Sequence, residues 1–186
     1  MTAAMRNTAS MGQPSRPTNA TAEDQAGHRK DQPVRLRGHL ALLEENQGEI
    51  PWCGPAALAL ATGRGYAEAS RLLRDIAPGW YPPEGPIVTA YWRDLLGVLD
   101  LLGVAHAPVA LPERRRNLLT FVRNGLEEGW YLLRITDHFL LLRSYGFGIA
   151  MLYDNRHTGV LVGRKTHGLR HVTHAVRLTS GPLAGG

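Results

Sequence analysis

The sequence predicts an α+β fold in which helices come first and an antiparallel sheet follows. Runs with helical periodicity fill the chain up to Gly129, where the period changes to short segments rich in Val, Ile, Leu and Tyr. Apolar residues make up 44% of the 186 residues, enough to bury the core of one domain. Helices followed by strands is the element order of α+β proteins.

The chain divides by composition into a tail, a domain and a short end. Residues 1–34 contain almost no large apolar side chains and an excess of basic ones, so we predict a flexible basic tail. Residues 35–180 are the predicted domain, and 181–186 a flexible C-terminal end. The tail could order on a protein assembly partner.

Charge and hydropathy exclude several classes of function. The net charge of +5 is modest and favours a solvated basic surface over nucleic-acid binding. No apolar run approaches the roughly 20 residues of a membrane-spanning helix, and no secretory signal is visible. The localisation is left open between the cytoplasm and a larger particle.

The predicted elements begin with residues 37–46, which form either a short helix or an extended lead-in. Further helices are expected over 53–62, 66–75, 89–102 and 116–128. Strands joined by hairpins are expected over 130–136, 138–144, 148–155, 159–165 and 171–178. The helix after Cys53 is apolar nearly all round, which predicts a buried central helix that ends at Gly63.

Cys53 is the only cysteine, and it directly precedes this helix. The positive end of the helix dipole and its unpaired N–H groups stabilise a thiolate, which is the reactive form of cysteine. Gly54 and Pro55 leave little bulk beside the sulfur. The alternative is a small buried core residue, which is common for a free cysteine.

A base and an orienting acid are predicted on the second and third strands. If those strands pair through the turn at 144–148, His138 at the start of one lies near Asp154 at the end of the next. Asn155 is the alternative orienting residue, because only one of two adjacent residues can face His138. Gln47, six residues before the cysteine, could donate to an oxyanion together with the Cys53 N–H.

This set of segments resembles the papain-like cysteine peptidase superfamily, most closely the C39-like peptidases. The resemblance rests on Gln47, on Cys53-Gly54-Pro55-Ala56, on Asp137-His138-Phe139-Leu140-Leu141 and on Tyr153-Asp154-Asn155. It implies that the cysteine attacks a carbonyl, the histidine moves the proton, the Asp or Asn orients it and the glutamine lines the oxyanion hole. Asp137 departs from the pattern, because relatives often have a small residue there.

The predicted function is therefore cleavage of a peptide or amide bond in a peptide or protein substrate. Two alternatives remain: a non-catalytic subunit of a larger assembly, such as a phage particle, and an acyltransferase that uses the same three residues. No cofactor or metal is predicted. His171 and His174 would face opposite sides of a strand, and no second cysteine accompanies them or His167.

Overall fold

The computed structural model describes residues 37–112, 114, 116–180 and 182. The predicted tail over 1–34 lies outside the described residues, and so does most of the predicted end over 181–186. The helices are α1 (His39–Glu45), α2 (Cys53–Thr62), α3 (Tyr66–Ile76), α4 (Trp92–Leu101) and α5 (Leu118–Arg123). None of them is long and apolar enough to cross a membrane.

Six strands form one antiparallel sheet in the order β1-β6-β2-β3-β4-β5. The strands are β1 (His106–Pro108), β2 (Gly129–Ile135), β3 (His138–Ser144), β4 (Ala150–Tyr153), β5 (Thr158–Leu161) and β6 (Val172–Leu178). The coarse α+β prediction is confirmed, with helices packed against an antiparallel sheet.

The sheet differs from the predicted series of hairpins at both ends. Strands β2 to β5 are joined in sequence, but β6 crosses the sheet and pairs with β2 instead of β5. Strand β2 is apolar on both faces, which suits a position inside the sheet. There both edges of its backbone are paired, whereas at the edge of the sheet one would be exposed. Strand β1 was not predicted, since three residues with a proline leave no periodic pattern.

Helix α2 is the centre of the larger of two hydrophobic cores. Its residues from Gly54 to Thr62 are buried, as its uniformly apolar sequence predicts, and Gly63 ends it in the left-handed conformation with φ of 68°. Phe139 and Leu141 of β3 belong to this core. Leu140 and Leu142 belong to a second core that includes α5. The sheet is thus covered on both faces, with the N-terminus of α2 near the start of β3.

Candidate active site

Cys53 is the first residue of α2, and its side chain is partly buried. Trp52 precedes it in an extended conformation, and its side chain makes no capping hydrogen bond to the helix. The Trp52 N–H donates to the Tyr66 hydroxyl at 3.1 Å. Burial alone would raise the pKa of the Cys53 thiol. Hydrogen bonds from His138 and from the Phe139 N–H, together with the charge of His138, outweigh burial and lower it below its ordinary 9.0. The site therefore favours a thiolate.

The Phe139 N–H is available to the sulfur because of where β4 stops. Strand β4 pairs with β3 only from Leu141 onwards, opposite Tyr153. The first three residues of β3 therefore have a strand neighbour on one side only, which is β2. The start of α2 lies against this uncovered stretch of backbone.

Gly54 allows the start of α2 to approach the segment before α4. A Cβ atom built on Gly54 would lie 2.4 Å from the Cβ of Ala90, a separation that non-bonded carbon atoms do not reach. The glycine next to the thiol is thus required by close packing against Ala90.

His138 is the first residue of β3, and its Nε2 lies 3.0 Å from Oδ2 of Asp154. The strand register explains this pair. Tyr153 is opposite Leu141, so the next residue, Asp154, projects beside Leu140. His138 lies on the same side of the sheet as Leu140 and is the diagonal neighbour of Asp154. Burial lowers the pKa of His138, but hydrogen bonds to Asp154 and Cys53 raise it overall to about 9. A protonated imidazole beside a thiolate is the ion pair that a thiol hydrolase uses.

Asp154 is fully buried and accepts hydrogen bonds on both oxygens. Oδ1 accepts from the backbone N–H groups of Arg156 and His157, each at 2.8 Å, and lies 3.0 Å from Nδ1 of His157. Oδ2 lies 3.0 Å from Nε2 of His138 and 3.0 Å from Nε2 of His167. Burial alone would raise the pKa of Asp154, but hydrogen bonds from His138, His167 and the Arg156 backbone hold it well below its usual range.

An ionised carboxylate only accepts hydrogen bonds, which fixes the protons on the ring nitrogens. Nε2 of His138 must donate to Asp154, so Nδ1 is the nitrogen left for the Cys53 thiol. The structure thus brings together three of the predicted site residues, Cys53, His138 and Asp154, in the order thiol, imidazole, carboxylate.

Asn155, the alternative orienting residue, has a different position. Its Nδ2 donates to the carbonyl of Pro51 at 2.6 Å and ties the loop after β4 to the segment that leads into Cys53. Its Oδ1 is buried and has no hydrogen-bond partner in the described part of the chain. Asn155 thereby fixes the separation between the carboxylate loop and the thiol.

Gln47 is the predicted residue that the structure does not place beside the thiol. It is exposed, has a positive φ of 57° in the turn after α1, and lines a neighbouring cavity with Glu45 and Tyr66. The cleft at Cys53 is lined by other residues. No hydrogen bond connects the Gln47 side chain to the site among the described residues.

The cleft above Cys53 has a volume of about 370 Å³. Its charged lining residues are Asp137, Arg156 and Arg170, all exposed to solvent. Arg170 donates to the backbone carbonyl of Thr136 at 2.8 Å. Neither Arg156 nor Arg170 forms an ion pair within the ranges that the structure describes.

Sequence reasoning connected neither His157 nor His167 with Asp154, and it considered His167 only as a metal ligand beside His171 and His174, which it set aside. The spacing of Asp154 and His157 in a four-residue turn was a usable signal, because an aspartate at a turn commonly accepts from groups two and three residues later. His167 had no such signal. It reaches Asp154 through the crossover between β5 and β6, and the sequence was expected to form a hairpin there.

Comparison of the chain with family models, curated proteins and solved structures gives no match. Any conclusion about function therefore depends on the fold and the site geometry. The site consists of a partly buried thiol at a helix N-terminus, an imidazole at the start of a strand and a buried carboxylate that accepts from Nε2 of that imidazole.

Proposed function

We propose that the protein is a papain-like thiol hydrolase that cleaves a peptide or other amide bond. The observation that supports this most is the pairing of His138 with the buried Asp154, whose Oδ2 accepts from Nε2 at 3.0 Å, in the cleft that Cys53 and His138 both line. The lowered pKa of the thiol and the raised pKa of the imidazole favour an ion pair.

In the first chemical step the Cys53 thiolate attacks the carbonyl carbon of the substrate and forms a carbon–sulfur bond. The Cys53 N–H at the start of α2 donates to no other residue in the described part of the chain, and Cys53 lines the cleft, so this group can donate to the developing oxyanion. The His138 Nδ1 proton passes to the leaving amine as the carbon–nitrogen bond breaks, leaving a thioester.

In the second step His138, now neutral, takes a proton from water, and the hydroxide oxygen attacks the thioester carbonyl. The carbon–sulfur bond breaks, the carboxylic acid leaves and the thiolate with its imidazolium is restored. Asp154 keeps the imidazole in the tautomer and orientation that both steps need, and it stays ionised throughout.

The lining of the cleft favours substrates with an acidic group near the cleaved bond. Arg156 and Arg170 present two positive charges that no acid pairs with among residues 37–112, 114, 116–180 and 182, and Asp137 in the same cleft offsets one of them. Guanidinium groups bind carboxylates through two parallel hydrogen bonds. We therefore expect an Asp, a Glu or a free carboxylate to be preferred over Lys or Arg at that side.

Cleavage of a defined mixture of peptides, followed by mass spectrometry, tests this function. The wild-type protein is expected to cleave peptides at a restricted set of sites, and Cys53→Ser and His138→Ala are expected to lower the rate at least about 10³-fold. His171→Ala is the matched control, because His171 is exposed and lies outside the cleft. It should retain the wild-type rate.

Three other outcomes separate the alternatives. Transfer of the acyl group to an added amine in preference to water would identify an acyltransferase. Cleavage without regard to acidic residues would contradict the role of the two arginines but would still agree with the proposed hydrolase activity. An absence of any acyl transfer, with a Cys53 thiol that alkylates no faster than a free thiol, would contradict the enzyme and favour a structural subunit.

A further inference from the structure

Asp154 has more imidazole partners than the proposed reaction uses. One imidazole on the orienting carboxylate is sufficient for a thiol hydrolase, and His138 supplies it. His167 and His157 approach the same carboxylate, with Nε2 of His167 3.0 Å from Oδ2 and Nδ1 of His157 3.0 Å from Oδ1. The rings of His138 and His167 lie close together, with centroids 4.6 Å apart.

The three ligand atoms of His138, Asp154 and His167 are close enough together to converge on one divalent ion. All lie within 4.8 Å of one another, and both nitrogens are 3.0 Å from Oδ2. Ligand atoms about 2.0–2.2 Å from a tetrahedral zinc ion are about 3.3–3.5 Å apart, so small shifts would admit the ion. Two imidazoles and one carboxylate form a donor set typical of zinc, whereas Mg²⁺ and Ca²⁺ need more oxygen ligands.

The site is accessible and supported. The side chains of His138 and His167 are 11% and 19% exposed and both line the Cys53 cleft, through which an ion can enter. On the other side, Oδ1 is held by the backbone N–H groups of Arg156 and His157 and by the His157 ring. Such outer contacts orient the ligands of a metal site.

We propose that His138, His167 and Asp154 bind a divalent transition-metal ion of the zinc type, with Cys53 outside the ligand set. Nδ1 is the nitrogen of His138 left for the thiol, and the ion would take Nε2, so the two would occupy opposite sides of the ring. Binding replaces the two Nε2–H···Oδ2 hydrogen bonds by metal bonds. The Nε2 proton of His138 is released to water and the ring keeps its proton on Nδ1, while the proton of His167 moves from Nε2 to its own Nδ1.

This binding has a consequence for the reaction, which rests on the proposed function. With the ion on Nε2, transfer of the Nδ1 proton to the leaving amine would create a metal-bound imidazolate, a poor product. Turnover therefore stops, while the thiolate, still hydrogen bonded to Nδ1–H, remains open to alkylation. The ion acts as a reversible inhibitor that leaves the nucleophile exposed.

Titration calorimetry with Zn²⁺ and absorption spectroscopy with Co²⁺ test the site directly. The wild-type protein and Cys53→Ala are expected to bind one ion with the same affinity, and the Co²⁺ complex should lack the near-ultraviolet band of a thiolate ligand. His167→Asn should weaken binding at least about 100-fold, since asparagine tolerates the positive φ of 62° at this position but is a poor zinc ligand. His171→Ala should bind as the wild type does.

The contradicting results are distinct from a failure of the hydrolase. Loss of binding in Cys53→Ala, with a thiolate band in the wild-type Co²⁺ spectrum, would move the ion to the Cys53–His138 pair and overturn the proposal. Absence of any binding to the wild type would overturn it too. If the protein binds zinc but cleaves no peptide, the metal site is supported and only the proposed function is contradicted.

Discussion

At the scale of single residues, the His138 imidazole determines how the site responds to pH. Its ring lies between a thiol whose pKa is lowered and a carboxylate whose pKa is far below its usual range. Asp154 is therefore negative at neutral pH, and it stabilises the proton on His138 together with the Cys53 thiolate. The pKa of His138 is raised to about 9 as a result.

The rate of peptide cleavage is predicted to follow a bell-shaped dependence on pH. At low pH the Cys53 thiol is protonated, so the rate rises as pH passes the lowered thiol pKa, which lies below 9.0. Above about 9, His138 loses the proton that the leaving amine needs, so the rate falls. The profile of kcat/KM against pH measures both limbs.

The alkylation rate of Cys53 by iodoacetamide provides the control for this profile. It should rise at the same low pH as the acid limb, and His138→Ala should move that rise to higher pH. An alkylation profile centred at 9.0 or above and unaffected by His138→Ala would contradict the ion pair.

The positions of site residues could be predicted from the sequence where they depend only on segments that are adjacent along the chain. Cys53 could be placed at a helix start from the run that follows it, and His138 and Asp154 are linked by one hairpin. Gln47 was placed by its spacing from the cysteine, but spacing does not determine the path of a turn with positive φ. His167 required knowledge of the crossover before β6, which no local pattern encodes.

At the scale of elements, the start of α2 depends on a close approach to the segment before α4. The separation of 2.4 Å between a Cβ built on Gly54 and the Cβ of Ala90 means that a methyl group at one position excludes a methyl group at the other. The position of the thiol is thus coupled to residues well outside the cleft.

Gly54→Ala is predicted to lower the free energy of unfolding by about 1–3 kcal/mol, because the overpacking outweighs the better helix propensity of alanine. Ala90→Gly, added to it, should recover much of that loss by removing the opposing methyl group. Urea unfolding of both single variants and the double variant gives the coupling energy. Purely additive losses would show that the two sites do not compete for space.

The helices and strands themselves were predictable to different degrees. Helix α2 has a uniform apolar composition with a proline in its first turn and a glycine after its end, and its bounds matched. Helix α5 was expected over 116–128 but spans Leu118–Arg123, because Gly125 with φ of 91° ends it early. Strand pairing beyond neighbours in sequence was not predictable, since it depends on which apolar faces remain uncovered.

At the scale of the whole molecule, β6 joins distant parts of the chain. It lies between β1 and β2, and Val176 packs into the same core as α2 while pairing with Leu132 and Pro108. Stability of the helical part should therefore depend on a strand to which it is not joined in sequence.

Val176→Asp is predicted to lower the free energy of unfolding by at least about 3 kcal/mol, because it buries an unpaired carboxylate in the shared core. The loss should appear together in the helical circular dichroism signal and in tryptophan fluorescence. Leu161→Asp on the edge strand β5, where the side chain is 60% exposed, is the matched control and should change stability by about 0.5 kcal/mol or less. Melting of the sheet with retained helical signal would contradict this dependence.

The position of β6 inside the sheet also determines when the candidate site can form during synthesis of the chain. The ribosome makes the cysteine early, the base later and β6 last among the described strands, and domains fold as units once their parts are present. Until β6 inserts, β2 lacks one of its two neighbouring strands, and the Cys53 thiol lacks the folded surroundings that lower its pKa. A nascent chain therefore exposes a cysteine that is not yet activated, and the arrangement of Cys53, His138 and Asp154 forms only after β6 closes the sheet.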